Sequence, residues 1–215
     1  ILKEDFAGFD AQLIIMDVVP WMLPYYEASG IQFEIEDNRD YMDYTFTPEQ
    51  FLAGMDMQDD RYRYNYFKRR FAYETEEITP FHREEIREFM EREWCGEKTC
   101  EECHCGCLLR VIDNLVPVFD KIRINGILVR VEGKMAGLCI VSCRNGLGVY
   151  QYKNAVNRIK GINEYLLRES FERYLQSADT INYTEDMGVE NLRYYKEHMA
   201  PAHTLLSKLT LTERG

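Results

Sequence analysis

No apolar run in this 215-residue chain approaches the roughly 20 residues needed to cross a bilayer, and the longest candidates are broken by charge or proline. A basic, apolar, small-residue leader is also absent. These two absences set the expectation of a soluble, cytoplasmic protein. Net positive charge is lacking too. The 26 Lys and Arg against 37 Asp and Glu leave a formal charge of −11. That argues against a large nucleic-acid footprint, because phosphate binding needs a basic surface. Histidine is scarce: His82, His104, His198 and His203 are the four present, and each reads as structural or solvated rather than as a catalytic base. No internal repeat or low-complexity segment interrupts the chain. Its length allows one large domain, or one domain plus part of another, with a real core.

Cysteine is concentrated. Cys95, Cys100, Cys103, Cys105 and Cys107 fall with His104 in one short stretch, while Cys139 and Cys143 stand apart on a strand-like segment. The spacing of Cys100 and Cys103 lets both thiolates reach one tetrahedral zinc, with Cys95 and Cys105 or Cys107 completing the set. Structural zinc sites usually pair two such knuckles at a distance, so a reduced loop of unengaged thiols fits the same residues. A disulfide is disfavoured in a reducing compartment. Cys139 and Cys143 read as small apolar core residues.

A second local feature is the turn Arg158-Ile-Lys160-Gly161-Ile162-Asn163, between the aromatic run 149–156 and an amphipathic stretch from about Ile162 to Leu175. The first turn of a helix has unpaired N–H groups and the positive end of the dipole. A glycine there lets backbone approach an anion closely, and Arg158 and Lys160 add charge. A glycine before a helix is also ordinary turn chemistry. The spacing resembles the phosphate-binding turn with which Gcn5-related acyltransferases hold the pyrophosphate of acyl-CoA, except that Asn163 replaces a small residue. The run Arg61–Arg70 carries five basic residues and four aromatics. It suits either a phosphate-rich ligand or a solvated helix whose Tyr62, Tyr66 and Phe67 pack inward.

The stretch from Asn182 through Tyr183, Glu185, Asp186, Gly188, Leu192, Arg193 and Lys196 to Pro201 resembles a bacterial family of domains related to the C-terminal aminoacyltransferase domain of phosphatidylglycerol lysyltransferases. Segments 126–137, 158–161 and 37–44 also fall where that family has them, so the resemblance spans about Phe33 to Thr212. It implies tandem acyltransferase-like folds, and family members usually begin well upstream of the equivalent of Ile1. It places Asn182 and Glu185 or Asp186 beside the reacting carbonyl as catalytic groups. Tyr183 would serve as acid or substrate contact, and Arg193 and Lys196 would grip substrate. Arg158, Lys160, Gly161, Ile162 and Asn163 would hold an acyl-CoA-type or other small phosphorylated carrier, a partner the charge balance favours over tRNA. Acids at a helix entry also cap free N–H groups without catalytic duty. A non-catalytic binding or scaffold protein on the same fold, or a zinc-dependent regulator, remains an alternative reading.

Organisation follows the same lines. Buried strands are expected at 12–19 and near Phe33–Ile35, with a helix around Trp21–Ser29 between them. Thr47-Pro48-Glu49-Gln50 opens a helical segment running to residue 70. From Phe71 the expected order is strand, two helices, a three-strand meander turning at Glu132-Gly133 and Asn145-Gly146, then helix, strand 180–183, helix 187–198 and a final strand near 205–211. That order is α+β and GNAT-like, a mostly antiparallel sheet flanked by helices. The expected division is residues 1–70 as the end of a first domain plus linker, and 71–215 as a complete second one.

Overall fold

The computed structural model describes residues 12–95, 106–199 and 203–214, excepting the side chains of residues 94, 95, 106–108 and 110. Two sheets organise it. The larger has seven strands: β3 (Asp43–Phe46), β4 (Tyr73–Glu77), β5 (Asn125–Val131), β6 (Lys134–Arg144), β7 (Leu147–Ala155), β8 (Thr180–Asn182) and β9 (Thr204–Leu206), in the order β4-β5-β6-β7-β8-β3-β9. The smaller has three: β1 (Ile14–Val18), β2 (Phe33–Asp37) and β10 (Leu209–Glu213), with β10 in the middle. Every pairing in the larger sheet is antiparallel except β7 with β8.

The helices are α1 (Leu23–Glu27), α2 (Pro48–Met55), α3 (Gln58–Arg70), α4 (Arg83–Met90), α5 (Gly106–Leu115), α6 (Ile162–Ser170) and α7 (Glu190–Met199). Local chemistry explains several of their ends. Thr47 accepts from the Gln50 N–H at 3.2 Å while Gln50 accepts from the Thr47 N–H at 2.8 Å, a reciprocal cap with Pro48 at the first helical position. The meander turns at the expected sites. Asn145 and Gly146 both have positive φ, 50° and 77°, as a tight hairpin turn demands.

Strands on the two sides of residue 70 pair with each other: β3 with β8 and β9, and β1 and β2 with β10. Two expectations change. The single strand near 205–211 is two strands, β9 and β10, which belong to different sheets. Within α3, Phe67 is buried and Tyr66 half-buried, but Tyr62 is 55% exposed. The inward stripe follows Asp60, Tyr64 and Phe67, one face of a 3.6-residue period, and Tyr62 falls off it.

One aromatic and aliphatic core fills the space between the larger sheet and its helices, with Phe51, Phe67, Phe89, Leu138, Ile140, Leu166 and Phe171 buried in it. Cys139 lies in that core and Cys143 packs half-buried against it, as small apolar residues do. The smaller sheet has its own small core of Val18, Leu209 and Leu211 under α1. Ion pairs join the two sheets. Lys208, between β9 and β10, lies 2.7 Å from Asp43, 3.4 Å from Glu185 and 3.8 Å from Asp17.

Candidate functional site

The site begins in the register of β7 and β8. Their parallel pairing ends at Val149 with Asn182, yet β7 runs on to Ala155. β8 ends there, so among the described residues β7 from Tyr150 to Ala155 has no strand partner on that side, where Tyr150 meets Tyr183 edge-on with ring centroids 5.3 Å apart.

On the β7 side the chain turns through 157–161 into α6. Gly161 has φ 89°, and its missing Cβ faces inward. An added Cβ would fall 2.1 Å from the Arg63 carbonyl oxygen and 3.0 Å from the Phe67 Cβ. This glycine therefore lets α6 cross close to α3, a packing duty that the local sequence did not reveal. Ile162 is fully buried. Asn163 accepts from Lys153 Nζ at 2.9 Å, so the residue that departs from the small-residue pattern is tied to β7. Arg158 and Lys160 remain outward. The Arg158 side chain is 77% exposed, 3.7 Å from Glu93, and Lys160 lies over the Tyr62 and Tyr66 rings at 4.8 and 5.2 Å. A cavity of about 470 Å³ adjoins this turn, lined by Glu93, Asn154, Ala155, Asn157 and Arg158.

On the other side, the loop after β8 is held in an unusual backbone path. Thr184 and Met187 have positive φ, 57° and 54°, and such residues persist only where surroundings hold them. Lys196 does part of that work. It is buried, and its Nζ donates to the carbonyls of Tyr183 (2.5 Å), Thr184 (3.2 Å) and Glu185 (2.8 Å). Burial pulls its pKa down to about 8. Asp186 does the rest from a fully buried position. It accepts from Arg39 (3.1 Å), Tyr44 (2.8 Å), the Gly188 N–H (2.9 Å) and both nitrogens of an Arg193 fork (3.0 and 2.9 Å). Burial alone would raise its pKa, but the bonds from Arg193, Tyr44 and Gly188 outweigh that and hold the carboxyl well below the usual range.

The residues singled out in this segment therefore sit together but are largely committed to one another. Asn182 donates to Asp43 at 2.8 Å and accepts from the Thr184 N–H at 2.7 Å. Arg193 also reaches Asp40 at 2.5 Å. Tyr183 packs edge-on against Phe51 and Tyr150, and burial pushes its phenol far above the ordinary value, which disfavours its ionisation. Glu185 is the signature carboxylate with access to solvent, its side chain 28% exposed. Cys100, Cys103 and Cys105 lie outside the described residues, as do the side chains of Cys95 and Cys107. Among the described residues no group of three or more His, Cys, Asp or Glu is placed to hold a metal.

Sequence reading passed over a further set. Asp60 on α3 and Glu164 on α6 face each other, and Arg63 donates to Glu164 at 3.2 Å. Burial, then the Glu164 charge, raises the Asp60 pKa to about 6. Both carboxylates act electrostatically on Lys153, on β7 past its last pair with β8, and on Tyr183, directly after β8. Lys153 has its own pKa lowered by burial. The available signal was Asp60 itself, a carboxylate on the same helical stripe as Tyr64 and Phe67. A charge on a core-facing stripe asks for an explanation.

This arrangement can be set beside known proteins. The family model described as phosphatidylglycerol lysyltransferase, C-terminal, matches residues 2–207. The chain belongs to that family. A conserved protein of unknown function from Bacteroides thetaiotaomicron is 25% identical, with a TM-score of 0.81, over 99% of this chain and 73% of its own. L-PGS from Bacillus licheniformis is 14% identical, with a TM-score of 0.65, over 98% of this chain and 70% of its own. A tandem GNAT protein from the clavulanic acid biosynthesis pathway is 11% identical, with a TM-score of 0.54, over 94% of this chain and 62% of its own. No curated protein sequence matches the chain. The fold is GNAT-like, and membership of the family supports acyl or aminoacyl transfer in general. No helix of the described residues is long and apolar enough to cross a membrane.

Proposed function

We propose that this protein transfers an acyl or aminoacyl group from a phosphate-bearing carrier to an amine or hydroxyl acceptor, with the reacting carbonyl in the gap between β7 and β8. The observation that carries the reading is the register of those strands: pairing stops at Val149 and Asn182 while β7 continues to Ala155 and leads into a basic turn and a helix N-terminus. A backbone gap beside an anion-favouring turn suits a long, phosphate-headed carrier.

In this reading Arg158 and Lys160 meet the carrier's phosphates, while Gly161, Ile162 and Asn163 shape the turn beneath them. A small carrier such as an acyl-CoA suits one turn with two basic side chains better than tRNA does, since the net charge is −11. Asn182, Asp186, Arg193 and Lys196 act as positioning residues. They hold the 183–189 loop in its strained path, and so hold the far wall of the gap. Glu185 and Asp60 are the carboxylates with access to solvent or a cavity. Aminolysis needs a neutral amine, and a carboxylate titrating near pH 6 can take its proton at neutral pH. The amine nitrogen would then bond to the carbonyl carbon as the bond to the carrier breaks and the electron pair leaves with the carrier.

Acetyl-CoA titrated into the protein tests the carrier half directly. Binding that weakens at least tenfold in the Arg158→Ala, Lys160→Ala double variant, with the melting temperature unchanged, is the expected result. Failure of every acyl-CoA and aminoacyl carrier to bind, or binding indifferent to both side chains, would refute it.

A further inference from the structure

A cavity of about 480 Å³ lies between the start of α3 and the outer side of α7, with Met57, Asp59, Asp60, Tyr194, Tyr195 and His198 on its walls. Its chemistry is divided. Asp59 and Asp60 make no hydrogen bond or ion pair among the described residues. Arg63, the cation on the same wall, is paired with Glu164 at 3.2 Å and offsets only part of their charge. Opposite them Tyr194 and His198 stack with ring centroids 3.8 Å apart and His198 Nδ1 2.8 Å from the Tyr194 carbonyl oxygen, which fixes the pair. Met57 and Met199 add flexible apolar surface.

Carboxylates facing aromatic rings attract an ammonium twice, by charge and through the ring quadrupole. The same walls repel phosphate, so this is not a seat for the carrier's head. Asp60 also borders the small neighbouring space shared with Glu164 and Tyr195. Through that wall the cavity adjoins Glu164 in the first turn of α6, beside the turn that ends at Gly161.

Resting on the transfer reading, the geometry points to this cavity as the acceptor's seat, and to a small cationic amine as the acceptor. Its ammonium lies against Asp59 and Asp60, and its methylene chain runs along Met57 and the Tyr194–His198 stack. A neutral alcohol of the same length satisfies neither wall and is excluded by the lost charge pairing.

The test is calorimetric titration of the full chain at pH 7.5 with 1,4-diaminobutane and, in parallel, with 1,4-butanediol. Saturable binding of the diamine, absence of binding of the diol, and a dissociation constant raised about tenfold or more in Asp60→Asn and in Asp59→Asn are expected. Absence of saturable diamine binding, equal binding of the diol, or affinity unchanged in both variants would overturn the assignment. Titration of the same samples with acetyl-CoA separates the two readings. Carrier binding without diamine binding sinks the amine assignment alone. Diamine binding without any carrier binding leaves the cavity standing and sinks the transfer reading.

Discussion

Replacing Asp186 by Asn should cost this fold more than any other isosteric change in the signature segment. The side chain is fully buried and accepts four hydrogen bonds from two arginines and a tyrosine, besides one from the Gly188 N–H. Asparagine keeps the shape but turns one acceptor oxygen into a donor facing a guanidinium, and it removes the negative charge. Breaking a buried pair by neutralising one partner costs about 3–5 kcal/mol. In a chain of this size each kcal/mol moves the melting temperature by about 2–4 °C, so a fall of about 6–20 °C is expected. The pH dependence has a definite sign. The folded pKa of Asp186 is depressed, so its stabilisation is fully present above the ordinary carboxylate pKa of about 4 and is lost as pH falls below it. Thermal unfolding of both proteins from pH 3 to 7 should show a wide separation at pH 7 that narrows toward pH 3. A drop under about 1 kcal/mol at pH 7, or a separation constant with pH, would refute the idea that this network holds the loop.

The glycines of two turns give a paired test. Gly161→Ala places a Cβ 2.1 Å from a backbone oxygen at positive φ, whereas Gly133→Ala meets nothing within 4 Å. Chemical denaturation should therefore give a loss of about 2–4 kcal/mol for the first and about 1 kcal/mol for the second, and similar losses would mean that α3 and α6 are not in close contact. Asp60 offers a change of opposite sign. Its raised pKa makes the folded state hold a proton that the unfolded chain releases between about pH 4 and 6, so stability falls as pH rises through that window. Asp60→Asn should gain about 1 kcal/mol at pH 7, after allowance for partial solvent screening, and nothing at pH 4. A variant that is less stable than its parent at pH 7 would contradict this.

Local chemistry was legible wherever cause and effect lie within a few residues. Thr47, Pro48 and Gln50 marked a helix start, and Glu132-Gly133 and Asn145-Gly146 marked the hairpin turns. The element order from Phe71 and the residues of the signature segment pointed to the GNAT-like fold and to the family. What the three-dimensional structure alone decided concerns partners far apart in sequence. Asp186 reads as a helix-entry acid until Arg39 and Tyr44, 147 and 142 positions away, are brought onto it. Gly161 reads as an anion-binding glycine until the Arg63 carbonyl is found against it. The stretch 205–211 reads as one strand because apolar pattern cannot say which sheet receives each half. Asp60 shows no special character in its own helix, since its pKa depends on burial and on Glu164, 104 positions later. Backbone propensity and turn chemistry act between neighbours along the chain. Desolvation, ion pairing and close packing act between neighbours in space, and those are set only when the sheets close.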